Sequence, residues 1–270
     1  MARPIVRRFL QAFVKLGPKG VIVIISQKIG RRLHIVKTPP LAYPSDSLND
    51  ATNLIHPFDV AHGTETGGVI WGENLPSGHP NDLWSTAYYG VSPSLFTQVV
   101  TTLNLDWQRF TFIDFGCGKG RAIMLASRFP FRRVIGVELA PQLSTVATAN
   151  IQRFSADWQQ CHTIEVLNAD ATTFDYPPGP LVVYLYNPFF PAVLKRCLQN
   201  LTRSLSSEPR ELYLIYAIPD FENLFKKHAP ILQKQWDRLF TMSNEDAQAD
   251  RFGSSQERVV LYSYIPSTKS

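Results

Sequence analysis

Between Thr111 and Arg121 the chain reads Thr-Phe-Ile-Asp-Phe-Gly-Cys-Gly-Lys-Gly-Arg, and no other stretch limits its possible folds so tightly. Phe110 to Phe115 is apolar and β-favouring. Gly116, Gly118 and Gly120 then permit backbone angles and close approaches that a Cβ would block. The following segment, 121–127, has helix-forming composition. A buried strand that breaks into a glycine turn and reopens as a helix leaves backbone N–H groups at the mouth of a parallel sheet, where a ligand can sit.

Downstream of this turn, apolar runs alternate with helical patterns. Strands are expected at 133–139, 164–168, 181–186 and 211–218, with a helix from Pro141 to about Phe154 and a short helix near 220–227. Ser92 and Pro93 read as N-cap and first residue of a helix running to Leu103. Towards the end, a strand at 235–242, a polar loop at 243–256 and a strand at 258–265 predict an antiparallel hairpin. With the strand at 110–115 this gives an α/β fold, a doubly wound and mostly parallel seven-stranded sheet closed by that hairpin, over residues 90–270.

The dinucleotide fingerprint G-x-G-x-x-G would need its third glycine at Arg121, so the spacing weighs against NAD. The pattern present, Asp114-Phe115-Gly116-Cys117-Gly118-Lys119-Gly120, resembles the first motif of class I S-adenosylmethionine-dependent methyltransferases, uncharacterised bacterial members in particular. Glu138 stands where that family ends its second strand with an acid, and a carboxylate at a strand tip suits two vicinal ribose hydroxyls. The resemblance implies S-adenosylmethionine as cofactor, held by Asp114, Gly116, Cys117, Gly118, Gly120, Glu138 and Leu139. It also implies Asp170 and Ala171 at the adenine and Tyr89 or Tyr88 near the methionine moiety, while the cysteine and histidine spacings independently point to no metal. Asn187-Pro188-Phe189-Phe190 is similar to the N-P-P-aromatic motif of amino-directed methyltransferases, with Phe189 replacing the second proline. N-P-F versions resemble those of some protein lysine methyltransferases. Asn187, Pro188 and Phe189 are therefore the expected catalytic residues, Asn187 orienting the target nitrogen in an apolar cavity around Phe189, Phe190, Trp71 and Trp84. The implied activity is N-methylation of a protein lysine or another amine by in-line transfer. Read without the resemblance, Asp114 and Glu138 are also compatible with loop-end capping, and Asp170 and Asn-Pro with turns. A small-molecule O- or N-acceptor and a non-catalytic cofactor-binding protein are the alternative functions.

The charge is uneven. Nine of the 27 basic residues and no acidic one fall in residues 1–38, which leaves 18 basic against 22 acidic residues beyond them. A mildly acidic body argues against nucleic-acid binding. The first 38 residues read as a basic, amphipathic arm in which helical spacing would set Ile5, Phe9, Phe13 and Leu16 on one face and Ile22, Ile25, Ile29 and Leu33 on another, suited to an anionic membrane surface or to packing on protein. Its longest uncharged run, 20–27, is too short to span a bilayer, and the protein is expected to be cytoplasmic, with residues 1–38 either in peripheral membrane contact or packed on protein. Residues 39–89 read as a proline-rich linker followed by a glycine- and aromatic-rich lid, 53–89, of little periodicity. His56, His62 and His79 share no ligand spacing and read as loop residues hydrogen-bonded locally. Cys117, Cys161 and Cys197, odd in number and widely spaced, fit a reducing compartment, with Cys117 a small filler under the cofactor.

Overall fold

The computed structural model describes residues 55–249 and 255–266. The basic arm at 1–38 and the linker up to residue 54 lie outside these described residues. In the lid segment, where the sequence shows no period, Pro57–His62 forms a short helix, α1. Its start is fixed by Pro57 and by the His56 Nδ1, which accepts from the Phe58 N–H at 3.1 Å. Two-residue strands β1 (Val69–Ile70) and β2 (Tyr88–Tyr89) pair antiparallel, and two 3-10 turns, Gly72–Asn74 and Pro80–Trp84, fill the span between them. His79 caps the second turn as His56 caps α1, accepting from the Asn81 N–H.

Helix α2 (Pro93–Thr101) starts at Ser92, whose hydroxyl accepts from the Leu95 N–H, and delivers the chain to β3 (Thr111–Phe115). There follow α3 (Arg121–Ala126), β4 (Arg133–Glu138), α4 (Pro141–Arg153), β5 (Ile164–Asn168), β6 (Leu181–Tyr186), α5 (Pro191–Ser207), β7 (Leu212–Ala217) and α6 (Asn223–His228). The chain ends on β8 (Gln233–Thr241), a short helix α7 (Asn244–Ala249) and β9 (Gln256–Tyr264). These strands form one seven-stranded sheet in the order β5-β4-β3-β6-β7-β9-β8. The five strands β3 to β7 are parallel, and β9 pairs antiparallel with both β7 and β8. This is the doubly wound sheet and closing hairpin that the sequence predicts.

Alternation along the strands sends Phe112, Val134, Val182, Ile215 and Val259 into the layer under α2 and α3. It sends Ile113, Ile135, Val183, Leu214 and Val260 into the layer under α5 and α6. Because β3 is covered on both faces, all five of its residues are buried, Phe112, Ile113 and Phe115 supplying the apolar contacts and Thr111 and Asp114 the buried polar groups. Helix α5 lays Val193, Leu194, Cys197, Leu198, Leu201 and Leu205 on the sheet, each large apolar side chain contributing about 1.5–3 kcal/mol when fully buried.

The loop expected at 243–256 is corrected by α7. Its Asp246 accepts from the Ser92 hydroxyl and from the Ser94 N–H, both at 2.7 Å, so the polar turn is fixed by docking on the start of α2 rather than by an apolar period of its own. Among the described residues, no helix is long and apolar enough to cross a membrane.

Candidate functional site

The sheet order reverses beside β3, whose neighbours β4 and β6 lead the chain to opposite edges, and in open α/β sheets ligands sit outside the strand ends at such a point. A cavity opens there. Its floor is Asp114, Gly116, Cys117 and Gly118, one wall is Glu138, Leu139, Asp170 and Ala171, and the other is Tyr186, Pro188 and Phe189. Leu75, Asn81 and the run from Ser85 to Tyr89 line it from the lid segment.

The turn has the shape its glycines allow. Gly118 has φ +57°, and a Cβ on it would come within 2.3 Å of the Tyr88 ring, so glycine is required both by the backbone and by the aromatic that closes over it. A Cβ at Gly136, the partner of Asp114 across β3 and β4, would meet the Cys117 Sγ at 2.7 Å. That absent side chain seats Cys117 beneath the cavity. Gly120 caps α3, packs against Ala147 and Ile123, and does not line the cavity.

The cavity's electrostatics centre on two carboxylates. Glu138 accepts from the N–H groups of Gly118 and Ala140, each at 2.9 Å, which fastens the end of β4 to the glycine turn. Each of its oxygens keeps a lone pair for a further donor. Asp114 is 3% exposed and makes no hydrogen bond to the described residues. Burial, and then the neighbouring Glu138 charge, push its pKa well above the usual carboxylate range. Burial also raises Glu138, against the pull of its backbone donors, and the Cys117 thiol is pushed well up, first by burial and then by both acids. Asp170 takes a double role. It caps the 3-10 turn Ala171–Thr173 through the Thr172 N–H at 2.9 Å, and its other oxygen accepts from the Asn81 amide of the lid segment at 2.9 Å.

Asn187 differs from expectation. It is buried at φ +46°, a conformation asparagine tolerates, but its amide donates to Asp220 Oδ2 at 2.9 Å, its Oδ1 accepts from the Tyr216 hydroxyl at 3.2 Å, and it does not line the cavity. Alternation at the end of β6 turns the cavity-facing role to its neighbour Tyr186 instead. Pro188 and Phe189 do line the cavity, held by main-chain pairing of the lid: Thr86 N–H donates to the Pro188 carbonyl, the Thr86 hydroxyl to the Asn187 carbonyl, and Ser85 bridges to Phe189. The aromatic cavity predicted around Phe189, Phe190, Trp71 and Trp84 is corrected to Tyr88, Tyr89, Tyr186 and Phe189. Phe190 stands against Phe221 and Trp84 packs in the α5 layer.

What fastens the lid segment is not visible in its own sequence. Asp59 on α1 accepts from the Thr66 hydroxyl at 2.6 Å and from the N–H of Thr66 and the hydroxyl of Thr64, each at 2.8 Å, while Arg121 donates to the Thr66 hydroxyl at 2.7 Å and lies 4.0 Å from Asp59. Asn150 of α4 adds a reciprocal pair with the Glu65 main chain, and Lys119 reaches the Glu65 carboxylate at 3.0 Å. Arg121, whose side chain stands in for the third dinucleotide glycine, is thus 3% exposed and ties the glycine turn to the lid.

Residues 112–208, about a third of the chain, match the sequence family described as a methyltransferase domain. No curated protein matches the sequence. Among solved structures, the methyltransferase domain of the bacterial protein CtHen1 is similar at 15% identity and TM-score 0.42, over 63% of this chain and 97% of that one. Geranyl diphosphate C-methyltransferase from Streptomyces coelicolor A3(2) is similar at 13% identity and TM-score 0.43, over 63% and 77%. Magnesium protoporphyrin IX methyltransferase from Synechocystis PCC 6803 is similar at 14% identity and TM-score 0.40, over 64% and 77%.

Proposed function

We propose that this protein is an S-adenosylmethionine-dependent methyltransferase that N-methylates an amine, a protein lysine side chain in the first instance. Its cofactor is S-adenosylmethionine, and the observation that carries the reading is Asp114, a buried carboxylate in the cavity without a hydrogen bond to the described residues, beside a second carboxylate and over a glycine turn that a Cβ would obstruct. An unpaired buried carboxylate is costly, and a cationic ligand offsets that cost. The residues fit the group: Glu138 has lone pairs for ribose hydroxyls, Asp170 for an exocyclic amine, and Asp114 for the ammonium of an amino acid. When bound, the cofactor supplies an electrophilic methyl group on a sulfonium.

The chain's own part is positioning and exclusion of water, which in a displacement of this kind supplies much of the rate. Tyr88, Tyr89, Tyr186 and Phe189 face the cavity with aromatic surface, which favours the neutral form of an amine and suits a cation on a π-face. Asn187, turned to Asp220, does not orient the acceptor, so the planar-amide chemistry of the N-P-P-aromatic motif is not part of this reading.

Calorimetric titration with S-adenosylmethionine, S-adenosylhomocysteine and NAD tests the cofactor. Both adenosyl ligands are expected to bind and NAD is not, and an Asp114→Ala, Glu138→Ala double variant should lose at least about tenfold in affinity, the scale of one charged hydrogen bond. Binding of NAD alone, or of nothing, would sink the proposal. Tritiated methyl donor with a pooled library of lysine peptides then reads the acceptor, and label appearing in small amines or hydroxyl compounds but not in peptides would replace the lysine assignment.

A further inference from the structure

At the Asp170 end of the cavity the lid segment contributes one polar side chain whose orientation is fixed from both sides. Asn81, in the 3-10 turn Pro80–Trp84, lines the cavity together with Asp170 and Ala171 and is 4% exposed. Its Nδ2 donates to Asp170 Oδ2 at 2.9 Å, and its Oδ1 accepts from the Arg196 guanidinium on α5. The two ends of an amide have nearly the same shape, so an asparagine left to itself can turn over and exchange donor for acceptor. Asn81 has no such freedom. A carboxylate only accepts and a guanidinium only donates, so each partner dictates which end is oxygen. Each end still has capacity to spare, a second N–H on Nδ2 and a second lone pair on Oδ1. Asp170 is more heavily used. Its Oδ2 accepts from Asn81 and from the Thr172 hydroxyl at 2.7 Å, with His79 Nε2 3.8 Å away, whereas its Oδ1 accepts from the Thr172 N–H and keeps one lone pair.

Resting on the S-adenosylmethionine reading, we propose that Asn81 is a specificity residue for the cofactor's base. The exocyclic amine of adenine donates one N–H to Asp170 Oδ1 and the other to Asn81 Oδ1, and Arg196 is the positioning residue that holds the amide in that sense. An amide suits this task because it presents a donor and an acceptor side by side, as adenine does. A carbonyl in place of the amine would bring lone pairs against the same two oxygens. The amide cannot turn over to meet it, since reversal would set Oδ1 against Asp170 and the NH₂ group against Arg196. Buried polar groups left unpaired in this way reject the wrong ligand more strongly than an apolar wall does. One acceptor comes from the sheet and the other from the lid, so the base is read in full only with the lid in place.

Calorimetry on the full chain tests this with three ligands. S-adenosylhomocysteine carries the amine, S-inosylhomocysteine has a carbonyl in its place, and the N6-methyl analogue of S-adenosylhomocysteine keeps only one N–H. The wild type is expected to bind each analogue at least about tenfold more weakly than S-adenosylhomocysteine, the scale of one buried hydrogen bond. In Asn81→Ala the penalty for the N6-methyl analogue should shrink to less than about threefold, because the second N–H then has no acceptor to lose. A merely structural role for Asn81 would weaken all three ligands alike and leave their ratios as in the wild type, which overturns the proposal. Arg196→Ala should shrink the same penalty in part and Arg196→Lys should restore it, while ratios unchanged in Arg196→Ala overturn the positioning role. Should Asn81→Ala fail to fold, the wild type decides alone: equal affinity for S-adenosylhomocysteine and its N6-methyl analogue overturns the second acceptor. A wild type that binds none of the three overturns the cofactor reading and this inference with it, whereas one that binds all three equally well overturns only this inference.

Discussion

Single residues carry the site's chemistry through burial. Asp114 sits at the end of β3 where the fold leaves it nearly inaccessible, next to Glu138 and opposite Gly136 and Tyr184 in the sheet. Its raised pKa means that the folded, ligand-free protein holds a proton that the unfolded chain releases at lower pH. This contributes stability that is fully present below the ordinary aspartate pKa and is lost as pH rises through the raised folded value. Asp114→Asn removes the titration. The variant should therefore gain melting temperature relative to wild type at neutral and alkaline pH, by on the order of 1 kcal/mol, and the gain should shrink as pH is lowered. Thermal melts over a pH series from the ordinary aspartate range upward check this. An offset that does not change with pH would mean that Asp114 titrates normally. At the same scale the three cysteines are buried free thiols, and the raised Cys117 pKa suits its place as filler rather than nucleophile.

At the scale of elements, the lid segment is held by what the glycine turn and α4 offer it. Asp59 and Arg121 are both nearly fully buried, and removing one partner of such a pair leaves an uncompensated charge, which costs about 3–5 kcal/mol. Asp59→Ala should accordingly lower the melting temperature by roughly 10 °C and expose the 60–70 region to protease. S-adenosylmethionine affinity should fall with it, because Tyr88 over Gly118 donates to the Thr66 carbonyl and loses that anchor when Thr66 moves. Unchanged proteolysis in the variant would show that main-chain pairing alone holds the lid. The hairpin of β8 and β9 shows the same dependence on partners: α7 forms where its sequence is polar and patternless, because Asp246 finds the start of α2.

For the whole molecule, the basic arm at residues 1–38 is predicted from charge and amphipathic pattern alone to hold the protein on anionic membranes. Deleting it should abolish flotation with phosphatidylserine liposomes, and undiminished flotation of the truncated protein would assign the arm to protein packing instead. The parallel sheet, its strand order at the glycine turn and the closing hairpin were legible in the sequence. Strands buried on both faces must be written as continuous apolar runs, and a strand–glycine–helix junction leaves few topologies open. That Asp114, Glu138, Cys117 and Asp170 lie along the cavity at the strand ends was legible from the strand–turn pattern together with the motif resemblance. Which of two adjacent side chains, Tyr186 or Asn187, faces the cavity was decided only by tertiary structure. The motif pointed to Asn187, but pleat alternation and the Asp220 and Tyr216 partners turned it away, and Glu257, 71 residues further on, gave Tyr186 its partner. Arg121 and Asp59 likewise meet across 62 positions of chain. A periodic pattern encodes contacts within an element, whereas the pairing of lone polar groups between distant elements exists only once the sheet has brought them together.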